Sequence, residues 1–196
     1  MSVASEQVGI LSRLQKTSQG PGVGFGTLLP RKEMVTMQTL KTFLWFDGNA
    51  EEAVDFWVSV FKGAKKGAVH YYADSFPDAK WRGKVITASF TLRGQEFVAL
   101  NAGPNFKFTP AVSFMVLCAT QQEIDDYWAK LTDGGTTMAC GWLTDKFGVT
   151  WQITPEKMDE MLNDPDKEKA ARVMNAMMGM VKLDIAALER ARDGKA

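Results

Sequence analysis

From residue 39 onward the apolar positions switch repeatedly between a period of two and a period near four. TLKTFLWF (39–46) is a β-branched and aromatic run that predicts a strand ending at Asp47-Gly48. Ala53, Phe56, Trp57 and Val60 then recur at helical spacing and predict a helix from Ala50 to about Phe61. Asn49 is placed as its N-cap, Glu51 and Glu52 suit its first turn, and Gly63 ends it. Three strands follow, over about Gly67 to Tyr72, Lys84 to Leu92 and Gln95 to Asn101. The last two form a hairpin at Gly94, and ADSFPDAKWRG (73–83) is a long loop. The order is β-α-β-β-β.

After a linker at 103–110 carrying Phe106 and Phe108, the same order returns. Ala111 to Cys118 predicts a strand. Thr120 caps a helix from Gln121 to Leu131, with Glu123 three residues on as a capping box. Short strands follow at Thr136 to Cys140, Trp142 to Asp145 and Val149 to Thr154. An offset of 71 maps Phe43 to Phe114, Glu52 to Glu123, Trp57 to Trp128 and Gly63 to Gly134. Matched pairs at one offset mark a duplicated module. DKFGVTWQITP (145–155) is the most informative stretch. Val149, Trp151 and Ile153 fall on one face of its strand, Thr150 and Gln152 on the other. LRGQEFVALN (92–101) shares that plan, with its glycine 54 residues earlier.

Beyond Pro155 the pattern is helical: a short helix to Leu162, and a longer one opened by Asp164 as N-cap and Pro165 and continuing through Met178. Leu183, Ile185 and Leu188 mark a last short helix. The methionines lie at helical spacing and read as core or dimer packing. Residues 1–36 show no sustained periodicity and are rich in Ser, Gly, Thr and Gln, which predicts a disordered extension, with Met37 a natural initiator. GPGVGFG (20–26) lacks the preceding strand and following helix of a nucleotide loop.

Composition narrows the function. Apolar content of 45% and charged content of 23% are globular values, and a formal net charge of zero gives no field for nucleic acid. No apolar run reaches the length of a membrane span. Cys118 and Cys140 read as buried thiols in a reducing, cytoplasmic setting. His70, the single histidine, reads as a satisfied or surface side chain on the second strand; pointing inward, it would be the only natural general base near neutral pH. Asp55, Asp126 and the Glu51-Glu52 pair read as solvated helix faces.

FLWFDGNAEEAVDFWVSVF, LRGQEFVALNAGP and CGWLTDKFGVTWQITP together resemble the PhnB-like branch of the vicinal oxygen chelate (glyoxalase/bleomycin-resistance) superfamily, often called 3-demethylubiquinone-9 3-methyltransferase. The resemblance spans about Met37 to Leu188. It implies an α+β fold of two β-α-β-β-β modules, 37–103 and 110–155, cupped around a cavity, with 156–196 as a helical tail outside. It also implies a homodimer holding a small molecule. Superfamily enzymes carry metal ligands on the first and last strands of each module. By the helix offset those positions are Thr42 and Ser113, with Val98 and Gln152 on the last strands. Three neutral oxygens and a valine cannot hold a divalent ion tightly. The expectation is therefore a cavity lined by Thr42, Leu44, Asn101, Ser113, Trp142 and Gln152, with no metal and no cofactor, that binds a hydrophobic or aromatic molecule. The alternative is an enzyme: the methyltransferase of the family name, or a metal-dependent lyase or dioxygenase.

Overall fold

The two periodicities resolve into eight strands and five helices among residues 40–195, the part of the chain that the computed structural model describes. The expected extension at 1–36 lies outside those residues. The first module holds β1 (Thr42–Phe46), α1 (Ala50–Val60), β2 (Lys65–Tyr71), β3 (Val85–Leu92) and β4 (Gln95–Asn101). The second holds β5 (Phe114–Cys118), α2 (Gln121–Leu131), β6 (Thr136–Thr137), β7 (Trp142–Thr144) and β8 (Thr150–Pro155). Each module is one mixed sheet, ordered β1-β4-β3-β2 and β5-β8-β7-β6. In both, the first strand lies parallel to the last and forms an edge. The α+β duplication expected from the sequence is therefore the architecture of the chain.

Strand alternation divides each sheet into a helix side and an open side. Leu44, Phe46, Phe90, Phe97 and Ala99 are buried on the first helix side, and Val116, Trp151 and Ile153 on the second. These side chains form one core with Ala53, Val54 and Trp57 of α1 and Ile124 and Leu131 of α2. The rings of Phe61 and Trp151 lie 5.1 Å apart and those of Phe97 and Phe114 5.2 Å, so the modules meet across aromatic contacts.

Several boundaries move for local reasons. β5 begins at Phe114 instead of Ala111, because 111–112 are exposed and unpaired with β8. β6 stops at Thr137, and the chain turns through left-handed backbone at Cys140 (φ 60°) and Gly141 (φ 80°). A Cβ at Gly141 would lie 2.8 Å from the Ile153 carbonyl oxygen, so this close approach needs glycine.

The C-terminal helices α3 (Met158–Leu162), α4 (Lys167–Met178) and α5 (Ile185–Arg192) enclose a second small core of Met158, Met161, Val173, Leu183 and Leu188. Asp166, not Asp164, caps α4: its carboxylate accepts from the Glu168 and Lys169 amides, while Asp164 accepts from Asp166 N one turn earlier. Two backbone–backbone bonds, Cys140 N to Met180 O and Gly141 N to Val181 O, tie this unit to the second module. Gln121 adds a third link, donating to Leu183 O and accepting from Ile185 N.

Candidate functional site

The helices of the two modules repeat at 71 residues, but the strands before them repeat at 72. Three residues (47–49) join β1 to α1, whereas two (119–120) join β5 to α2. The strand registers fix the consequence. Thr42 pairs with Phe97 and Phe43 with Val98, while Phe114 pairs with Trp151 and Met115 with Gln152. Phe97 and Trp151, 54 residues apart, occupy the same place in their sheets. The counterpart of Thr42 is therefore Phe114, and that of Ser113 is Lys41. One residue of offset moves a side chain to the opposite face.

This corrects two expected pocket residues. Thr42 and Leu44 lie on the helix side of β1, and Leu44 is buried in the shared core. Their neighbours Phe43 and Trp45 occupy the open side, with Phe43 49% exposed.

Asn101 is also withdrawn from any ligand. It is 2% exposed, and its side chain is engaged at both ends. Oδ1 accepts from Gly48 N and Ala50 N, each at 3.0 Å, and Nδ2 donates to Val85 O at 2.9 Å. Asn49 makes no side-chain capping bond, so the N-terminus of α1 is capped by a residue on β4 instead. Tyr72 completes the clamp by donating to Asn101 O at 2.6 Å.

Ser113, Trp142 and Gln152 do come together. Gln152 is half-buried on the open side of β8 and donates through Nε2 to Ser113 Oγ at 2.8 Å. Trp142 and Met115 flank it in register on the neighbouring strands, the first half-buried and the second 55% exposed. Thr150 precedes it on the same face, 1% exposed, with a hydroxyl that has no partner among the described residues. Val98 is the counterpart of Gln152, as the glycine spacing anticipated. Lys41, the counterpart of Ser113, is ion-paired with Glu96 at 3.2 Å. His70 is exposed on β2, paired with Thr87 of β3.

These residues do not fit a divalent ion. Gln152 and Ser113 offer only neutral oxygens, Val98 offers no donor atom, and Lys41 brings positive charge to the remaining position. Among the described residues no three His, Cys, Asp or Glu side chains group as metal ligands.

Sequence reasoning missed the buried carboxylate at the junction of the modules. Asp145 is 3% exposed. Its Oδ2 accepts from the indoles of Trp57 and Trp151, both at 2.8 Å, and its Oδ1 from Phe147 N at 2.9 Å and Val149 N at 3.0 Å. Burial pushes its pKa above the ordinary carboxylate value, and the four N–H donors work against that rise. The available signal was an aspartate two residues before Phe147-Gly148, together with two buried tryptophans that each need an acceptor. A crevice of about 310 Å³ opens beside this turn, between Phe147-Gly148, the linker at Phe106 to Phe108, and Trp45 and Asp47 of the first module. None of the expected pocket residues lines it.

A family model described as 3-demethylubiquinone-9 3-methyltransferase matches residues 38–154, more than half of the chain. The chain belongs to this family. A Bacillus cereus structure, named a putative 3-demethylubiquinone-9 3-methyltransferase, PhnB protein, is 40% identical, covering 60% of this chain and 99% of its own, with a TM-score of 0.55. Protein PA1353 from Pseudomonas aeruginosa is 21% identical, covering 60% of this chain and 97% of its own, with a TM-score of 0.52, which supports the fold. No curated protein matches. The PhnB-like region thus ends with β8, and α3 to α5 lie beyond the family model. The paired modules of this PhnB-like chain are those of the glyoxalase/bleomycin-resistance fold.

Proposed function

We propose that this PhnB-like protein binds a small hydrophobic or aromatic molecule on the open side of its sheets, without a catalytic metal. The observation that carries this reading is the Gln152–Ser113 pair flanked by Trp142 and Met115: one polar contact set among apolar walls. A second copy of the chain is the natural cover, giving a homodimer. The edge strands β1 and β5 each have one side without a strand partner among the described residues, and they expose Phe43, Met115 (55%) and Leu117 (47%) on the open side. Unpaired apolar edges are surfaces that another strand or sheet covers. Two free cysteines suit a reducing, cytoplasmic setting. Among the described residues no helix is long and apolar enough to cross a membrane.

The methyltransferase reading rests on the family description and on the name of the Bacillus cereus relative. The strand-to-helix turns argue against it. A cofactor that docks a phosphate or carboxylate on a helix N-terminus needs free amides at such a turn. Here Asn101 takes Gly48 N and Ala50 N, and Thr120 and Glu123 take Glu123 N and Ala119 N.

Thermal melts with and without manganese, nickel or zinc test the metal part. A site filled at a hundredfold excess over its dissociation constant adds about 2.7 kcal/mol. For a chain of this size that raises the melting temperature by roughly 5–10 °C. We expect no rise. A rise abolished by Gln152→Ala would replace the binding reading with a metalloenzyme.

A further inference from the structure

The chemistry around Gln152 narrows the class of molecule this face would take, on the reading that it is a ligand site. The open-side positions of β5, β7 and β8 include Met115, Leu117, Trp142, Thr144, Gln152 and Thr154, and none of these side chains ionises. A charged ligand would therefore lose its hydration here without gaining a counter-charge.

The Gln152–Ser113 bond fixes what remains on offer. Nε2 is committed to Ser113 Oγ, so Oε1 is left as an acceptor and the Ser113 hydroxyl proton is left as a donor. Turning the amide over exchanges the two roles, and the pair still presents one donor and one acceptor. Trp142 and Met115 stand on either side of the amide in register, an indole and a thioether suited to a flat apolar ring.

We propose that the ligand of this site is an uncharged planar molecule with a hydrogen-bond donor and acceptor side by side, such as a cyclic cis-amide. The ring lies between Trp142 and Met115, and its donor–acceptor edge meets Gln152 and Ser113.

Three quinoline probes separate the parts of this idea when titrated calorimetrically into the full chain. 2-Quinolone carries the complete edge, N-methyl-2-quinolone lacks the donor, and quinoline-2-carboxylate is an anion. We expect 2-quinolone to bind, and the other two to bind roughly 10- to 100-fold more weakly, because each leaves a polar group of the site unpaired. Gln152→Leu should abolish the preference. Ser113→Ala, a change at a half-buried residue just before β5, should weaken it and keeps the test open if the leucine variant does not fold.

Strongest binding by the carboxylate, lost in Gln152→Leu, would overturn the neutral class while leaving the site in place. Equal binding of all three that ignores Gln152 would overturn both the class and the site. Absence of 2-quinolone binding up to its solubility limit would overturn the proposal as well.

Discussion

Replacing Asp145 by asparagine keeps the shape of the side chain and removes half of its function. The carboxylate accepts four N–H bonds, two at each oxygen. An asparagine amide accepts at one oxygen only, so either the two indoles or the two backbone amides would face another N–H group. Bonds to a charged acceptor are worth about 1.5–3 kcal/mol each, giving roughly 3–6 kcal/mol for two. Removing a buried charge returns part of that, so the net loss is roughly 2–4 kcal/mol. A domain of this length then melts roughly 4–16 °C lower.

Urea denaturation followed by tryptophan fluorescence measures the difference directly. Its pH dependence carries a sign. Burial raises the folded-state pKa of Asp145, so the folded chain binds the more protons between the unfolded value near 3.8 and the raised one. The contribution of Asp145 is therefore largest below the unfolded pKa and declines as pH rises through that window. The gap between wild type and Asp145→Asn should widen on going from pH 7 toward pH 4. A loss below about 1 kcal/mol would refute the clamp. A gap that narrows with acid would show that the four donors outweigh burial.

Other expectations follow from single contacts. Asn101→Leu strands the amides of Gly48 and Ala50 and the carbonyl of Val85, and should cost roughly 2–4 kcal/mol in denaturant titration; a loss within about 0.5 kcal/mol would mean the cap is dispensable. Thr150→Val removes a buried hydroxyl without a partner among the described residues and should leave stability unchanged or raise it by up to about 1 kcal/mol; destabilisation beyond about 1 kcal/mol would show that the hydroxyl is satisfied in solution. Burial pushes the Cys118 thiol up to about 11, so iodoacetamide at pH 8 should label Cys140 in the native protein and Cys118 only after unfolding. Native labelling of Cys118 would contradict its burial.

The duplicated module was legible because period two and period near four leave direct marks, and Trp151 against Gln152 shows alternation doing this within five residues. The offset misled at the strands for an equally local reason. Helix spacing is blind to the length of the turn before it, and a turn shorter by one residue turned Thr42 away from the open side. Asn101 and Asp145 were out of reach because their partners lie far along the chain. Asn101 caps a helix 51 residues earlier, and Asp145 meets Trp57 at a separation of 88. Composition around either residue reads as an ordinary turn. Gln152 and Ser113 were legible through the family resemblance, which puts ligand positions on the first and last strands of a module, and β5 and β8 are indeed neighbours.

On the proposed reading, the open side around Gln152 holds an organic molecule and no catalytic metal. A native mass spectrum of the full chain, purified from its source cells without chelator, measures oligomer, metal and retained ligand in one experiment. We expect a dimer mass with an added small organic mass that disappears in Gln152→Leu, and no stoichiometric divalent ion. One equivalent of zinc, nickel, manganese or iron per chain, released by the same substitution, would contradict it.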